Sequence, residues 1–441
     1  MGSYIPDTKA EQLEMLKTLG MSSTDDLYSL IPEEARVKEL NLPEGLSELE
    51  VSKKVRALAF ENKVFDLIFR GAGSYNHYIP AIVKTVTSKE EFVTAYTPYQ
   101  AEISQGVLQS IFEYQTQICE LTGMDVSNAS VYDGGTAAAE AVLMNVDGRR
   151  KTEVVISGTT NPDVLTVVKT YCESRNVNVT VIPAKELATD IDALRNAIKK
   201  ETACVYVQSP NFYGVIENVA EIAAITHELG SKLAVGVNPI SLGLLKTPGE
   251  LGADIACGEG QPLGMPMGFG GPYLGFMAAK NDMMRKLPGR IVGQTTDADG
   301  KRCYVLTLQA REQHIRREKA SSNICSNEAL WAMTASVYLA AVGAKGLKQV
   351  ASTSASNAHY LASELSKIEG FKLAGSKEFF NEFLMSCPVN ADELNGYLAE
   401  NGILGGLAVE DGILWCATEM LSKADIDKTV SLIKKFVKGA E

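Results

Sequence analysis

The chain has 441 residues, enough at roughly 100–200 residues per domain for two or three domains, or for one large α/β domain with a smaller companion. Its 42 Lys and Arg against 54 Asp and Glu leave a net charge of −12, which disfavours nucleic acid and anionic membranes as partners. With 45% hydrophobic and 22% charged residues, the composition is that of an ordinary soluble globular chain.

The N-terminus, Met1–Asp7, has neither a basic stretch leading into an apolar run nor the Arg-rich pattern of a transit peptide. No segment approaches the ~18 consecutive apolar residues of a membrane span. Residues 1–70 read as helical and polar. Thr8–Leu19 carries apolar residues at a helical period, and Val51–Ile68 does the same through Val55, Leu58, Phe65 and Ile68. This segment offers little core of its own and is expected to wrap another surface. Residues 71–103 are loop-rich and aromatic, with Tyr75, His77, Tyr78, Tyr96 and Tyr99. A helix follows on Val107, Ile111, Tyr114, Ile118 and Leu121, with Gly123 as its stop.

From 129 to 280, apolar strands alternate with helices. Strands are expected at Val154–Ile156, Val177–Ile182, Ala203–Val207, Leu233–Val237, Asp254–Cys257 and Gly271–Ala278. Continuous apolar strands of this kind indicate a mostly parallel sheet covered by helices on both faces. Residues 281–320 are charged and contain the turn Asp297–Gly300. A long helix is expected over about 326–367, and the tail reads as a small α+β domain. The expected organisation is a helical segment at 1–70, a large α/β domain at 71–325, and a long helix with the C-terminal domain at 326–441.

The eight cysteines, Cys119, Cys172, Cys204, Cys257, Cys303, Cys325, Cys387 and Cys416, are scattered without a C-x-x-C. In a chain without a signal peptide they read as reduced, buried thiols, which argues for a cytoplasmic setting. The four histidines are dispersed and support no metal site.

Three features can carry chemistry. At Tyr132–Ala141 an apolar run ends at Gly134-Gly135-Thr136 and opens into helix formers, which is either an anion contact at a helix start or a plain Gly-Gly turn with a cap. The basic run Arg311–Lys319, with Arg316, Arg317 and Lys319, reads either as a phosphate or acidic-protein contact or as a solvated helix with internal ion pairs. The loop aromatics either line a pocket or pin the loops. Dinucleotide fingerprints fail: Gly258-Glu259-Gly260 lacks the third glycine, and Pro262 stands where a helix should open.

Three stretches, Thr97–Gly106, Gly134–Ala141 and Leu306–Cys325, closely resemble the P-protein of the glycine cleavage system, glycine dehydrogenase (decarboxylating). The resemblance runs over essentially the whole chain. The length matches the separately encoded first (α) subunit rather than the single-chain enzyme. The resemblance implies fold type I of the pyridoxal phosphate (PLP) enzymes. It also implies glycine decarboxylation, with the aminomethyl group passed to the lipoyl arm of the H-protein.

Holding PLP requires a lysine for its aldehyde, a carboxylate at the pyridine nitrogen and usually a stacked aromatic. Counting strands within that fold places Asn238 where the carboxylate belongs. The lysine position falls at Gln261 or Pro262, within Asp254–Gly264, which contains no lysine. The stacking histidine would fall within Ser157–Pro162, where a glycine stands. The resemblance thus implies a degenerate half that binds no cofactor covalently. PLP is expected in a second (β) subunit of an α₂β₂ complex that acts on glycine and the H-protein. Tyr75, His77, Tyr78, Thr97, Tyr99, Gln100 and Glu102 are expected at the edge of the partner's active site. Arg316, Arg317 and Lys319 are expected to contact phosphate or the H-protein. The alternatives are a self-sufficient PLP decarboxylase or aminotransferase using Lys246 or Lys280, and a non-catalytic scaffold.

Overall fold

A computed structural model describes residues 7–440 apart from Lys38, Tyr96, Thr97, Tyr99, Pro272 and Lys377. The chain divides into two compact units, residues 1–64 and 65–441.

The first unit has two principal helices, each started by a reciprocal cap. Thr8 Oγ1 accepts from Glu11 N and Glu11 accepts from Thr8 N at the head of Lys9–Thr18, and Ser47 and Glu50 repeat the device at Glu48–Phe60. Leu16 is the only buried residue among those described in this unit, while Leu30, Phe60 and Val64 are 95, 85 and 88% exposed. The helix expected to run to Ile68 stops at Phe60. Leu67–Ile68 is instead a short strand pairing parallel with Ile403–Leu404, because tertiary hydrogen bonds such as Phe69 N to Leu404 O at 2.8 Å override the helical period.

The second unit is built on a seven-stranded sheet. In chain order its strands are β1 (Val126–Ser127), β2 (Glu153–Ser157), β3 (Asn178–Ile182), β4 (Thr202–Gln208), β5 (Lys232–Gly236), β6 (Ile255–Glu259) and β7 (Gly275–Ala279). Their spatial order is β1-β7-β6-β5-β4-β2-β3. The five strands β2 to β6 pair parallel, and β7 runs antiparallel to both β6 and β1. Side chains alternate between two cores. Val155, Val205, Val207, Leu233 and Val235 enter one, and Val154, Ile156, Cys204, Tyr206 and Ala234 enter the other. Burial on both faces explains the unbroken apolar runs of these strands.

The helix Gln105–Thr122 ends at Gly123 in the left-handed conformation, φ +68°, as its sequence requires. The Asp297–Gly300 turn proves to be the tip of an antiparallel hairpin, Ile291–Thr296 with Arg302–Thr307. The basic run is not one helix: Gln313–Arg316 is a single turn, interrupted at Arg317 (φ +52°). The Ala329–Leu365 helix is long and apolar enough by composition to cross a membrane. Its residues Ala332, Ala335, Tyr338 and Leu347 nonetheless belong to the core beneath the sheet. It is kinked at Gly343. The tail forms a three-stranded antiparallel sheet, Glu382–Met385, Gly412–Cys416 and Leu407–Val409, packed with Ala391–Glu400 and Lys423–Ala440 around the fully buried Trp415.

Candidate functional site

In open α/β sheets ligands bind beyond the carboxyl ends of the strands. Here β4, β5 and β6 end at Gln208, Gly236 and Glu259, and these residues line a cavity of about 860 Å³. Its other wall is the start of the Gly134–Leu143 helix and the loop 71–75. Gly134 lets the helix start approach β6 closely, since a Cβ there would lie 2.8 Å from Glu259 Cβ.

The chain's own carboxylates occupy the amides that make such a helix start an anion site. Glu259 Oε2 accepts from Gly134 N at 2.9 Å, and Asp133 Oδ1 accepts from Thr136 N at 2.7 Å. Glu259 Oε1 also accepts from Gln261 N and Leu274 N, at 2.9 and 3.1 Å. Burial pushes the Glu259 carboxyl up to about 7, against the pull of those amides and with added repulsion from Asp133. Glu328 also lines the cavity, and its carboxyl is raised by burial and then by Asp133.

Gln261 is 2% exposed and acts as a clamp: its Oε1 accepts from Tyr75 N at 2.9 Å, while its Nε2 donates to Tyr75 O at 3.0 Å and to Met265 O at 2.8 Å. Pro262 lines the cavity. Asn238 stands just past β5 and caps the next turn, accepting from Ile240 N at 3.0 Å, while its Nδ2 is buried without a partner. Asn161, in the segment where a stacking group was expected, lines the cavity and donates to Ala72 O at 3.1 Å. Among the described residues no lysine lines this cavity. Lys246 is exposed beside a separate cavity of about 230 Å³, and Lys280 Nζ lies 3.9 Å from Asp254.

Tyr75 and His77 are buried within this chain. Tyr75 Oη donates to Glu382 Oε2 at 2.6 Å, and His77 Nδ1 lies 2.7 Å from Glu419 Oε2. Tyr78, Gln100 and Glu102 are exposed, while Thr97 and Tyr99 lie outside the described residues. Gly134, Gly135 and Thr136 form the helix start just described. Arg316, Arg317 and Lys319 are exposed and line no part of the cavity. Glu328, Tyr206 and Gln208 carry no local sequence signal as site residues. For Glu259 the one clue is its place between two glycines at the end of a strand, and its partner Gly134 is 125 residues away.

The sequence profile of the family described as "Glycine cleavage system P-protein" matches residues 2–433. The chain is 50% identical to the probable glycine dehydrogenase (decarboxylating) subunit 1 of Carboxydothermus hydrogenoformans, over 98% of this chain and 99% of that one. It is 48% identical to the protein of the same description from Desulfitobacterium hafniense, covering 97% and 98%. A crystal structure of glycine decarboxylase (P-protein) of the glycine cleavage system, in inhibitor-bound form, superposes with a TM-score of 0.94 at 41% identity, over 98% of this chain and 100% of that one. More distant likenesses, such as a Burkholderia pseudomallei sphingosine-1-phosphate lyase (TM-score 0.67, 14% identity, 93% and 94% covered), share the fold alone. The fold is that of the type I PLP-dependent enzymes, with a mostly parallel central sheet.

Proposed function

The chain belongs to the P-protein family of the glycine cleavage system, and on that premise we propose that it works as the first subunit of glycine dehydrogenase and carries no PLP itself. The observation behind this reading is the composition of the cavity. The segment expected to supply an amine presents Gln261, locked by three hydrogen bonds, and Pro262. The amides that would receive a phosphate already hold Glu259 and Asp133. A dianionic phosphate would meet carboxylates where it needs donors. The residues present do not fit the cofactor.

In this reading the second subunit supplies the PLP chemistry. Glycine loses CO₂ there, and the aminomethyl group passes to the lipoyl group of the H-protein. This chain completes the enzyme structurally. Tyr75 and His77 brace the 71–78 loop from inside, leaving Tyr78, Gln100 and Glu102 as the exposed residues available to the partner's site. The N-terminal unit, with Leu30, Phe60 and Val64 almost fully exposed, supports an assembly role, and the relatives' description as subunit 1 favours the second subunit as what covers it. An α₂β₂ complex in a reducing cytoplasm fits this arrangement.

Glycine decarboxylation by the separate and the recombined subunits tests the reading. The isolated chain should be inactive and lack the absorbance at about 400–430 nm of lysine-bound PLP, with turnover appearing on addition of the second subunit. Turnover by the isolated chain would contradict it.

A further inference from the structure

The smaller cavity, of about 230 Å³, lies beside the end of β5, between the loop 239–251 and the start of the Val219–Glu228 helix. Val237 lines both this cavity and the large one. The interior is aliphatic and enclosed. Val219, Val235, Val237 and Ser241 are at most 7% exposed, and Pro248 is buried. The Ser241 hydroxyl is already committed, donating to Asn238 O at 2.7 Å. Leu242, Leu245 and Leu251 complete the walls. Native interiors are close-packed, and the lining of a void forfeits dispersion contacts that an occupant of the right shape restores.

The rim carries a cation. Lys246 is exposed there and makes no ion pair or hydrogen bond among the described residues. The acids around it are engaged elsewhere. Glu217, the one acidic residue lining the cavity among those described, accepts from Thr159 Oγ1, Thr189 N and Asn211 Nδ2. Glu250 accepts from Thr247 N and Oγ1, both at 2.9 Å. Ala220, also at the rim, adds an open donor. Val219 N donates to Glu217 O and Glu221 N to Asn218 Oδ1, while Ala220 N has no acceptor among the described residues. Alone, that amide would be an ordinary solvated helix start. The distinguishing feature is the unpaired lysine set over an enclosed aliphatic void.

We propose that this cavity binds a small aliphatic monocarboxylate, its tail among Val235, Leu242, Leu245 and Leu251 and its carboxylate at the rim with Lys246 Nζ and Ala220 N. A void of about 150 Å³ takes a benzene-sized group, so one of about 230 Å³ takes a tail of about six to eight carbons. One ammonium and one amide balance a single negative charge, which selects a carboxylate over a phosphate dianion. The aliphatic walls select against acids with polar tails, whose groups would be buried without partners. The inference does not draw on the subunit assignment above and is tested on this chain alone, so failure of one leaves the other standing.

The test is calorimetric titration of the full chain with acetate, butyrate, hexanoate and octanoate at neutral pH and constant ionic strength, with 1-hexanol and inorganic phosphate as controls. Saturable binding of one hexanoate per chain is expected. Affinity should rise about fourfold for each methylene from butyrate to hexanoate, 1-hexanol should bind about tenfold more weakly than hexanoate, and phosphate should neither bind nor displace it. Lys246→Gln should weaken hexanoate about tenfold and leave 1-hexanol unchanged. Ala220→Phe, which blocks the mouth from an exposed position, should weaken both. Each variant should keep the native circular dichroism, and the chain-length series needs no variant. No saturable hexanoate binding, affinity independent of chain length, 1-hexanol binding as tightly as hexanoate, displacement by phosphate, or binding left intact by either substitution would overturn the proposal.

Discussion

Glu382 accepts from Ala72 N and Tyr75 Oη, both at 2.6 Å, and so ties the 71–75 loop to the C-terminal sheet. Burial pushes its carboxyl from an ordinary 4.5 up to about 7, against the pull of those two donors. Between these values the folded chain keeps a proton that the unfolded chain has already released. Stability therefore falls as pH rises from about 4.5 to about 7 and is level above that, as far as this group is concerned. Glu140 and Glu259, each also raised to about 7 mainly by burial, act in the same direction. Urea unfolding across pH 4.5–8 should show the decline, and Glu382→Gln should make it shallower; an unchanged slope would remove Glu382 from the account. Not all of these residues were equally legible in the sequence. Asn238 and Gln261 could be found by counting strands, because each follows directly on a strand that an apolar run betrays. Glu259 could not be recognised as the filler of the helix start, because a carboxylate's partner across a sheet leaves no trace in local spacing.

At the scale of elements, two glycines have measurable consequences. Gly343 kinks the Ala329–Leu365 helix at φ +60°, ψ 177°, a conformation open essentially to glycine alone. Gly343→Ala should cost about 1–3 kcal/mol of stability by chemical denaturation, although nothing lies within 4 Å of the added methyl. Gly134→Ala places its methyl against Glu259 and should cost about 1–3 kcal/mol for a different reason, overpacking. The central strands were readable because double burial writes them as continuous apolar runs. The hairpin 291–307 was not, because its outer half is exposed and polar, and pairing across Asp297–Gly300 is set by the turn rather than by an apolar pattern. The basic run looked helical by composition, yet backbone geometry at Arg317 breaks it, which no charge count reveals.

At the scale of the whole molecule, a unit of 64 residues with a single buried residue among those described cannot be held by its own core. The sequence already showed this as a helical segment poor in core positions. Deleting residues 1–64 should leave 65–441 folded by circular dichroism but abolish co-purification with the second subunit; undiminished association would place the interface elsewhere. The central claim, that this subunit contributes structure while its companion contributes the cofactor, has a direct chemical test. The complex assembled with PLP is reduced with borohydride, digested, and its pyridoxyl-labelled peptides are mapped by mass spectrometry. All label should fall on the second subunit, and a pyridoxyl group on any lysine of this chain, Lys246 and Lys280 included, would contradict the account.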